Sequence, residues 1–332
     1  MRDYDYPAKN TVRDAWMRFL PEFFQDTQAH GLYLPGHQNL EFPCYEQKRL
    51  SKDRLIGIEH DPSRFAAVKR KANGIRLIHG NVRDAVCEIE QQHIPRLRFA
   101  NLDFEGLYSR LISEILSLFR VFPSTSGGYL CVTSFSSRDE ETLLQGMIHT
   151  SKFYSGRAER TEFMSDYGRM VNRYVALKHI LKDPRASDHS HLTRELGFLW
   201  WMTLVMGVMQ FPGDTYGIID EAYLTELDAI LERIDERSRA RSEGTLDFHL
   251  VYDTELATRM CAHTSCLWPS GFQHFIYYTA PGLPMHVWML KIDFINTKKK
   301  PSHQDVLEQV WQFATRTPLI YVDKMGTAHS LV

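Results

Sequence analysis

The feature that most constrains the fold is an alternation of short apolar runs and amphipathic stretches between residues 54 and 136. Arg54 to Glu59 reads RLIGIE, a buried strand closed by an acid. Asp61 then caps a helix that has Pro62 at its first position and carries Phe65, Val68 and Ala72, before Asn73-Gly74 ends it. Ile75 to His79 reads as the next strand, Val82 to Gln92 as a helix and Leu97 to Asp103 as a strand. Leu107 to Val121 reads as a helix, Tyr129 to Phe135 as a strand and Arg138 to Ile148 as a further helix. With Leu32–Leu34 as an opening strand, five strands precede residue 136. Strand, helix and strand joined by short connections build right-handed units on a parallel sheet.

The flanks differ. Thr11 and Asp14 form a capping-box-like pair, followed by Val12, Trp16, Phe19, Leu20 and Phe23 at helical spacing, with Pro21 ending or kinking the helix. A polar segment then runs to about Lys52. Residues 150–245 hold mainly helical patterns: Phe163–Leu181, Leu192–Phe211 and Tyr223–Arg241. Strand patterns return at Phe248–Tyr252, Met260–Trp268, Phe272–Thr279 and Met285–Ile292, the last two flanking a Pro/Gly loop as in an antiparallel hairpin. Ser302 and Asp305 open a last helix. The expected units are 1–149, a helical insertion at 150–245 as lid or substrate-selecting part, and 246–332 as closing strands and final helix.

Composition excludes whole classes. Lys and Arg number 39 and Asp and Glu 41, a net charge of −2, so the chain is no strongly basic nucleic-acid coat. A hydrophobic fraction of 43% and a charged fraction of 24% are those of a globular protein. Five cysteines form no disulfide framework; Cys87 and Cys131 read as small buried hydrophobes. The longest apolar run, Leu196 to Phe211, falls short of the ~18–20 residues that span a bilayer and reads as a buried helix. The first residues contain no apolar signal segment, so the expected setting is reducing and cytoplasmic, without a membrane.

An open parallel sheet places its ligand at the carboxyl ends of the strands, near the switch in strand order. Those ends carry Pro35-Gly36, Glu59 with Asp61, Gly80-Asn81, and Asn101-Leu-Asp-Phe-Glu-Gly106. A carboxylate such as Glu59 can accept hydrogen bonds from both hydroxyls of a ribose, and the Asn81 amide has a donor and an acceptor for an adenine edge. Glu59 follows Gly36 at close to the ~20-residue spacing of a dinucleotide fold.

In YLPG at 33–36, LIGIEHD at 55–61, IHGNVRDA at 78–85, NLDFEG at 101–106 and the closing hairpin, the chain resembles the class I S-adenosylmethionine-dependent methyltransferases. The resemblance covers residues 30–148 and about 270–294. It implies an α/β, Rossmann-like fold: a mostly parallel sheet with a C-terminal antiparallel hairpin and a helical insertion. It also implies S-adenosylmethionine as cofactor. Carried over by position, Pro35 and Gly36 lie beside the methionine part, Glu59 with Asp61 holds the ribose, and Asn81 or Asp84 contacts the adenine. Asn101 and Asp103 then face the methyl group and the acceptor. Two features depart from the family. The first loop reads Pro35-Gly36-His37-Gln38-Asn39 with a single glycine, where Glu41 fills an acidic position that follows this loop in many members. Asn81 stands where an Asp is commoner.

Asn101-Leu102-Asp103-Phe104 is similar in shape to the Asn-Pro-Pro-aromatic element of base-amine methyltransferases, in which the aromatic stacks on a flipped base, though both prolines are missing. Asp103, or Glu105 from the following loop, can orient a nucleophile or act as a general base. This element and the basic groups Arg233–Arg241 and Lys298–Lys300 make nucleic acid the favoured acceptor, at a base amine or a hydroxyl. Two alternatives stand: a catalytically silent methyltransferase-like binding module, and an NAD-dependent oxidoreductase, which expects Gly-x-Gly-x-x-Gly after the first strand. His37, His60 and His79 map near the cleft and read as surface or core polar groups. Cys261, His263 and Cys266 lack usual zinc spacing, so no metal is expected. Trp200, Trp201, Tyr277, Tyr278 and Trp288 read as core. Neither a Walker A loop nor a Gly-x-Ser-x-Gly elbow is present.

Overall fold

The computed structural model describes residues 5–135, apart from breaks at 26–27, 37, 72–73, 93, 95–96, 108–111, 119–120 and 122–127. It also describes 161–181, 265–296 except 280–281, and 312–331 except 313–314. The strands are β1 (His30–Tyr33), β2 (Leu55–Glu59), β3 (Arg76–His79), β4 (Leu97–Leu107), β5 (Gly128–Phe135), β6 (Ser265–Tyr278), β7 (Pro284–Asn296), β8 (Leu319–Val322) and β9 (Ala328–Leu331). The helices are α1 (Pro7–Phe19), α2 (Phe42–Gln47), α3 (Pro62–Lys71), α4 (Val82–Gln91), α5 (Ile112–Ser117) and α6 (Thr161–Leu181).

The nine strands of the described residues form one sheet in the order β3-β2-β1-β4-β5-β7-β6-β8-β9. The first five are parallel: β1 pairs with β2 and β4, β2 with β3, and β4 with β5. Strand β7 then enters antiparallel between β5 and β6, as a hairpin must when its turn is short. The fold is therefore α/β, mostly parallel in its first half with an antiparallel C-terminal hairpin. Order reverses between β1 and β4, which opens a crevice at their carboxyl ends.

Several sequence expectations change. Helix α1 begins at Pro7, not at Thr11: Pro7 has no N–H to leave unpaired at the first turn, and the N-cap Tyr6 makes no side-chain cap bond. Thr11 lies inside the helix and donates to the Gly326 carbonyl at 2.7 Å, so its local capping pattern is overridden by a contact from the far end of the chain. The supposed polar segment before Lys52 contains α2. Strand β4 runs on to Leu107, so Phe104 and Glu105 belong to the strand and not to a loop. The two candidate strands on either side of residue 270 are one strand, β6, with a register shift between Pro269 and Gly271. Strands β8 and β9 escaped notice because four-residue strands leave almost no periodicity to read. Cys87 is exposed on α4, against expectation, whereas Cys131 is buried in β5. Thr161–Leu181 is helical as its pattern predicts; the rest of the expected insertion, Arg138–Ile148, Phe248–Tyr252 and the Ser302 helix start lie outside the described residues.

Beneath α1 the core is aromatic. Trp16, Phe24, Tyr45 and Phe99 meet there, with ring centroids 4.9 Å apart for Tyr45–Phe99 and 5.7 Å for Phe24–Phe99. Phe99 fits because β1 presents Gly31 to it: a Cβ at Gly31 would stand 2.0 Å from a Phe99 ring carbon. On β6 and β7 the buried His274 and His286 share a 2.9 Å hydrogen bond and stack on Trp288, which with Tyr277 is core, as expected. No helix among the described residues is long and apolar enough to cross a membrane.

Candidate functional site

The crevice is built from the loop after β1, the ends of β2 and β4, and the inner face of α1. The ladder of β1 continues one residue beyond the strand, where Leu34 N–H donates to the Asn101 carbonyl at 3.1 Å. Pro35 then leaves the sheet, and the turn closes with Asn39 N–H donating to the Pro35 carbonyl at 3.1 Å. Gly36 adopts φ +54°, a conformation disfavoured for residues with a Cβ, and among the described residues beyond its chain neighbours no atom lies within 4 Å of where its Cβ would be. The loop therefore offers bare backbone on its outer side. Gln38 follows with its Oε1 buried and without a hydrogen-bond partner among the described residues, an orphan that a buried polar atom seldom remains. Gly57 in β2 lets Pro35 lie close, since a Cβ there would stand 3.3 Å from the Pro35 ring.

At the end of β2, Glu59 is 8% exposed. Its Oε1 accepts from Asp61 N–H at 3.0 Å and lies 3.4 Å from His60 Nδ1, while its Oε2 has no partner among the described residues. A nearly buried carboxylate with a spare oxygen beside the switch point suits a pair of vicinal hydroxyls. Asp61 is committed elsewhere: its Oδ1 accepts from Ser63 N–H at 2.8 Å, Ser63 Oγ at 2.6 Å and Arg64 N–H at 2.9 Å, capping α3 as expected. The Ser63 hydroxyl first, then those backbone donors, hold its carboxyl down at about 2.

Asn81 and Asp84 form a reciprocal capping box at the start of α4, Asn81 Oδ1 accepting at 3.0 Å and Asp84 Oδ2 at 2.8 Å. That box accounts for the Asn81 acceptor and leaves its amide N–H groups for an adenine edge. It also accounts for Gly80, where a Cβ would crowd the Asp84 carboxylate.

The end of β4 alternates. Asn101 and Asp103 face α1, whereas Leu102 and Phe104 are buried on the opposite face of the sheet. Lys9 Nζ bonds Asp103 Oδ2, and Asp103 Oδ1 has no partner among the described residues. One turn along α1, Arg13 Nε donates to Glu41 Oε1 at 3.0 Å. One further turn along, Trp16 Nε1 donates to the Tyr45 hydroxyl at 3.2 Å, which also accepts from Asn101 Nδ2 at 3.0 Å. The Tyr33 hydroxyl donates to Asn39 Oδ1 at 2.8 Å, which fixes the loop after β1. Tyr6 hydrogen-bonds Tyr277 beside Lys9 and Asp103.

Burial raises the Glu41 carboxyl against the opposing pull of Arg13. For Lys9, burial works downward, yet the charge and hydrogen bond of Asp103, with Glu41 and Tyr6, outweigh it and the amine is raised. Burial raises the phenols of Tyr6, Tyr45 and Tyr277.

No protein-family model and no curated protein match the chain. Among solved structures, it is similar to the plantazolicin methyltransferase BamL in complex with a desmethyl plantazolicin analogue and SAH. That match has 11% identity and a TM-score of 0.34, over 85% of each chain. It is also similar to a SAM-dependent methyltransferase from Archaeoglobus fulgidus at 11% identity and a TM-score of 0.30, over 85% of this chain and 93% of that one. A third likeness is to PKMT2 from Rickettsia typhi in complex with AdoHcy, at 13% identity and a TM-score of 0.33, over 91% of this chain and 55% of that one. With scores this low, the chemistry of the site rests on this chain's own residues.

The structure thus brings Pro35, Gly36, Glu59, Asn101 and Asp103 to one crevice. It gives Asp61, Asn81 and Asp84 helix-capping duties at the crevice rim and ties Glu41 to Arg13. Phe104 is turned away from Asp103, and the Glu105 side chain lies outside the described residues, as do His37, Cys261, His263, Lys298–Lys300 and Arg233–Arg241. His60 and His79 are exposed, His79 packing against Phe65 with ring centroids 4.8 Å apart. Among the described residues no cluster of His, Cys, Asp or Glu could hold a metal. Sequence reasoning missed Lys9, Arg13, Tyr33, Gln38 and Tyr45. The spacing of Lys9, Arg13 and Trp16 along one helical stripe was the available signal.

Proposed function

We propose that the chain is an S-adenosylmethionine-dependent methyltransferase. The observation that carries this reading is the Glu59 carboxylate: nearly buried, held by one backbone donor, with Oε2 open beside the switch point. Glu59 would accept from the ribose hydroxyls, Gly36 would let the methionine part approach backbone, and the orphaned Gln38 amide would gain a polar partner. Asn81 would offer its amide N–H groups to the adenine. The cofactor, when bound, supplies a methyl group already activated on a sulfonium. The protein's task is then to align a nucleophile and exclude water. Asp103 Oδ1 is placed to accept from an acceptor O–H or N–H and so to orient it, while Lys9 holds the other oxygen.

The acceptor is a hydroxyl or amine, and nucleic acid remains one class to screen. The base-stacking version of that reading loses its platform, because Phe104 is buried behind Asp103 and the Asn101 amide donates to Tyr45. A second reading has one observation in its favour. Lys9 and Arg13 already pair Asp103 and Glu41, as in a module that binds without turnover.

Calorimetric titration with S-adenosylmethionine, with NAD in parallel, tests the proposal. Micromolar binding of the first alone, lost in Glu59→Ala, is the expected result. Binding of neither would sink it in favour of the silent module. Binding of NAD alone would mean an oxidoreductase.

A further inference from the structure

The end of the sheet opposite the crevice carries a concentration of positive charge that the proposed reaction does not use. From Lys48 to Arg76 the chain has nine Lys and Arg against three Asp and Glu, in a protein whose net charge is −2. The fold gathers these residues. Lys52 and Arg54 lie at the amino end of β2, and Arg76 opens β3 beside them. Helix α3 runs back across the sheet, so Lys69, Arg70 and Lys71 in its last turn reach the same end. The turn after α3 touches this group directly, since a Cβ at Gly74 would stand 3.2 Å from the Lys52 side chain. Lys48 and Arg49 join from the end of α2, Arg49 giving its carbonyl to Arg54.

Cations in the last turn of α3 complement the helix dipole, which is reason enough for Lys69 to Lys71. It does not explain Lys48, Arg49 and Lys52, which lie off that helix. Lys48, Arg49, Lys52, Lys69 and Arg70 have no carboxylate within ion-pair distance among the described residues. Three of them instead lie over aromatic rings: Arg49 over Phe23 at 5.1 Å, Lys52 over Phe42 at 5.2 Å and Lys69 over Phe65 at 5.9 Å. Their charged groups rest on ring faces, and all three residues are exposed to solvent.

We propose that this basic end binds the phosphodiester backbone of a nucleic acid, independently of base sequence. Binding of that kind needs only unpaired cations facing solvent. A lipid surface fits less well: the large hydrophobic side chains exposed among the described residues are Ile180, Leu283 and Met325, none of them at this end. A protein interface would want a desolvated apolar centre, which the patch lacks. The inference does not depend on the cofactor reading, because the patch and the crevice occupy opposite ends of the strands.

The test is fluorescence anisotropy of short labelled duplex DNA and single-stranded RNA with the full chain, across a salt series. Anionic phospholipid vesicles serve as a second arm. The parent is expected to bind with a slope of log K against log salt of about −4, as roughly five phosphate contacts require. The triple variant Lys52→Glu, Lys69→Glu, Arg70→Glu is expected to lose at least about tenfold in affinity at low salt and to flatten that slope. Its melting midpoint and cofactor titration should stay those of the parent. A Lys52→Gln, Lys69→Gln, Arg70→Gln version gives the same readout should charge reversal impair folding. No binding by the parent, equal binding by the variants, or variant-sensitive binding to vesicles alone would each overturn the proposal.

Discussion

Lys9 in the first turn of α1 bonds Asp103 Oδ2 in β4, joining two residues 94 positions apart. Their side chains are 12% and 24% exposed, between the surface and the interior. Exposed ion pairs contribute about 0–1 kcal/mol, and breaking a buried one costs about 3–5 kcal/mol. Lys9→Met keeps the apolar stem and removes the charge, and should cost about 1–3 kcal/mol in urea unfolding on that scale. Lys9→Met with Asp103→Asn should recover part of the loss, because no charge is then left unpaired. A Lys9→Met protein as stable as the parent would show that the pair does not hold α1 to the sheet.

Alkaline pH should unfold the protein through the same cluster. Lys9 keeps its proton to higher pH folded than unfolded, and so do the buried phenols of Tyr6, Tyr45 and Tyr277. The folded state therefore binds more protons than the unfolded chain once pH exceeds about 10. The stabilisation is fully present below that pH and is lost as pH rises through the folded values. Melting midpoints should fall steeply above about pH 10, and Tyr277→Phe should make the fall shallower. An identical pH profile in Tyr277→Phe would remove that phenol from the account.

Gly31 and Phe99 should behave as one unit. A methyl at Gly31 has no room beside the ring, so Gly31→Ala should destabilise by about 3 kcal/mol or more, the upper range for overpacking. Gly31→Ala with Phe99→Leu should be more stable than Gly31→Ala alone, because the smaller side chain vacates the space. Thermal melts of the four proteins of this cycle measure the coupling, and strict additivity would contradict it.

The loop after β1 separates folding from binding. At Gly36 the cost of a side chain is conformational, about 1–2 kcal/mol, because the space beside it is open. Gly36→Asn, which tolerates this conformation, should melt closer to the parent than Gly36→Val. Both should weaken cofactor binding by at least about tenfold, or 1.4 kcal/mol, if backbone approach at Gly36 matters. Unchanged calorimetric affinity in Gly36→Val would remove this loop from the cofactor site.

Much of the first half of the sheet was legible because each strand is a short buried run between capped helices. Asp61-Pro62 and Asn73-Gly74 mark the ends of α3 by local chemistry, and Glu59 could be placed at a strand end from order alone. The site was legible only where function follows the strand ends. Asp61, Asn81 and Asp84 at those ends also cap α3 and α4, through short side chains that bond nearby backbone.

The sequence by itself determined the parallel strands, the closing hairpin and the row of polar residues at their carboxyl ends, because period and capping act within a few residues. Only the tertiary structure decided that α1 supplies the cations of the crevice and that β4 sends Asp103 and Phe104 to opposite faces. It alone also decided that α3 carries its basic turn back to meet Lys52. The energies behind those outcomes belong to pairs such as Lys9 with Asp103 and Thr11 with Gly326. Such partners are far apart along the chain, and no local pattern encodes which of them will meet.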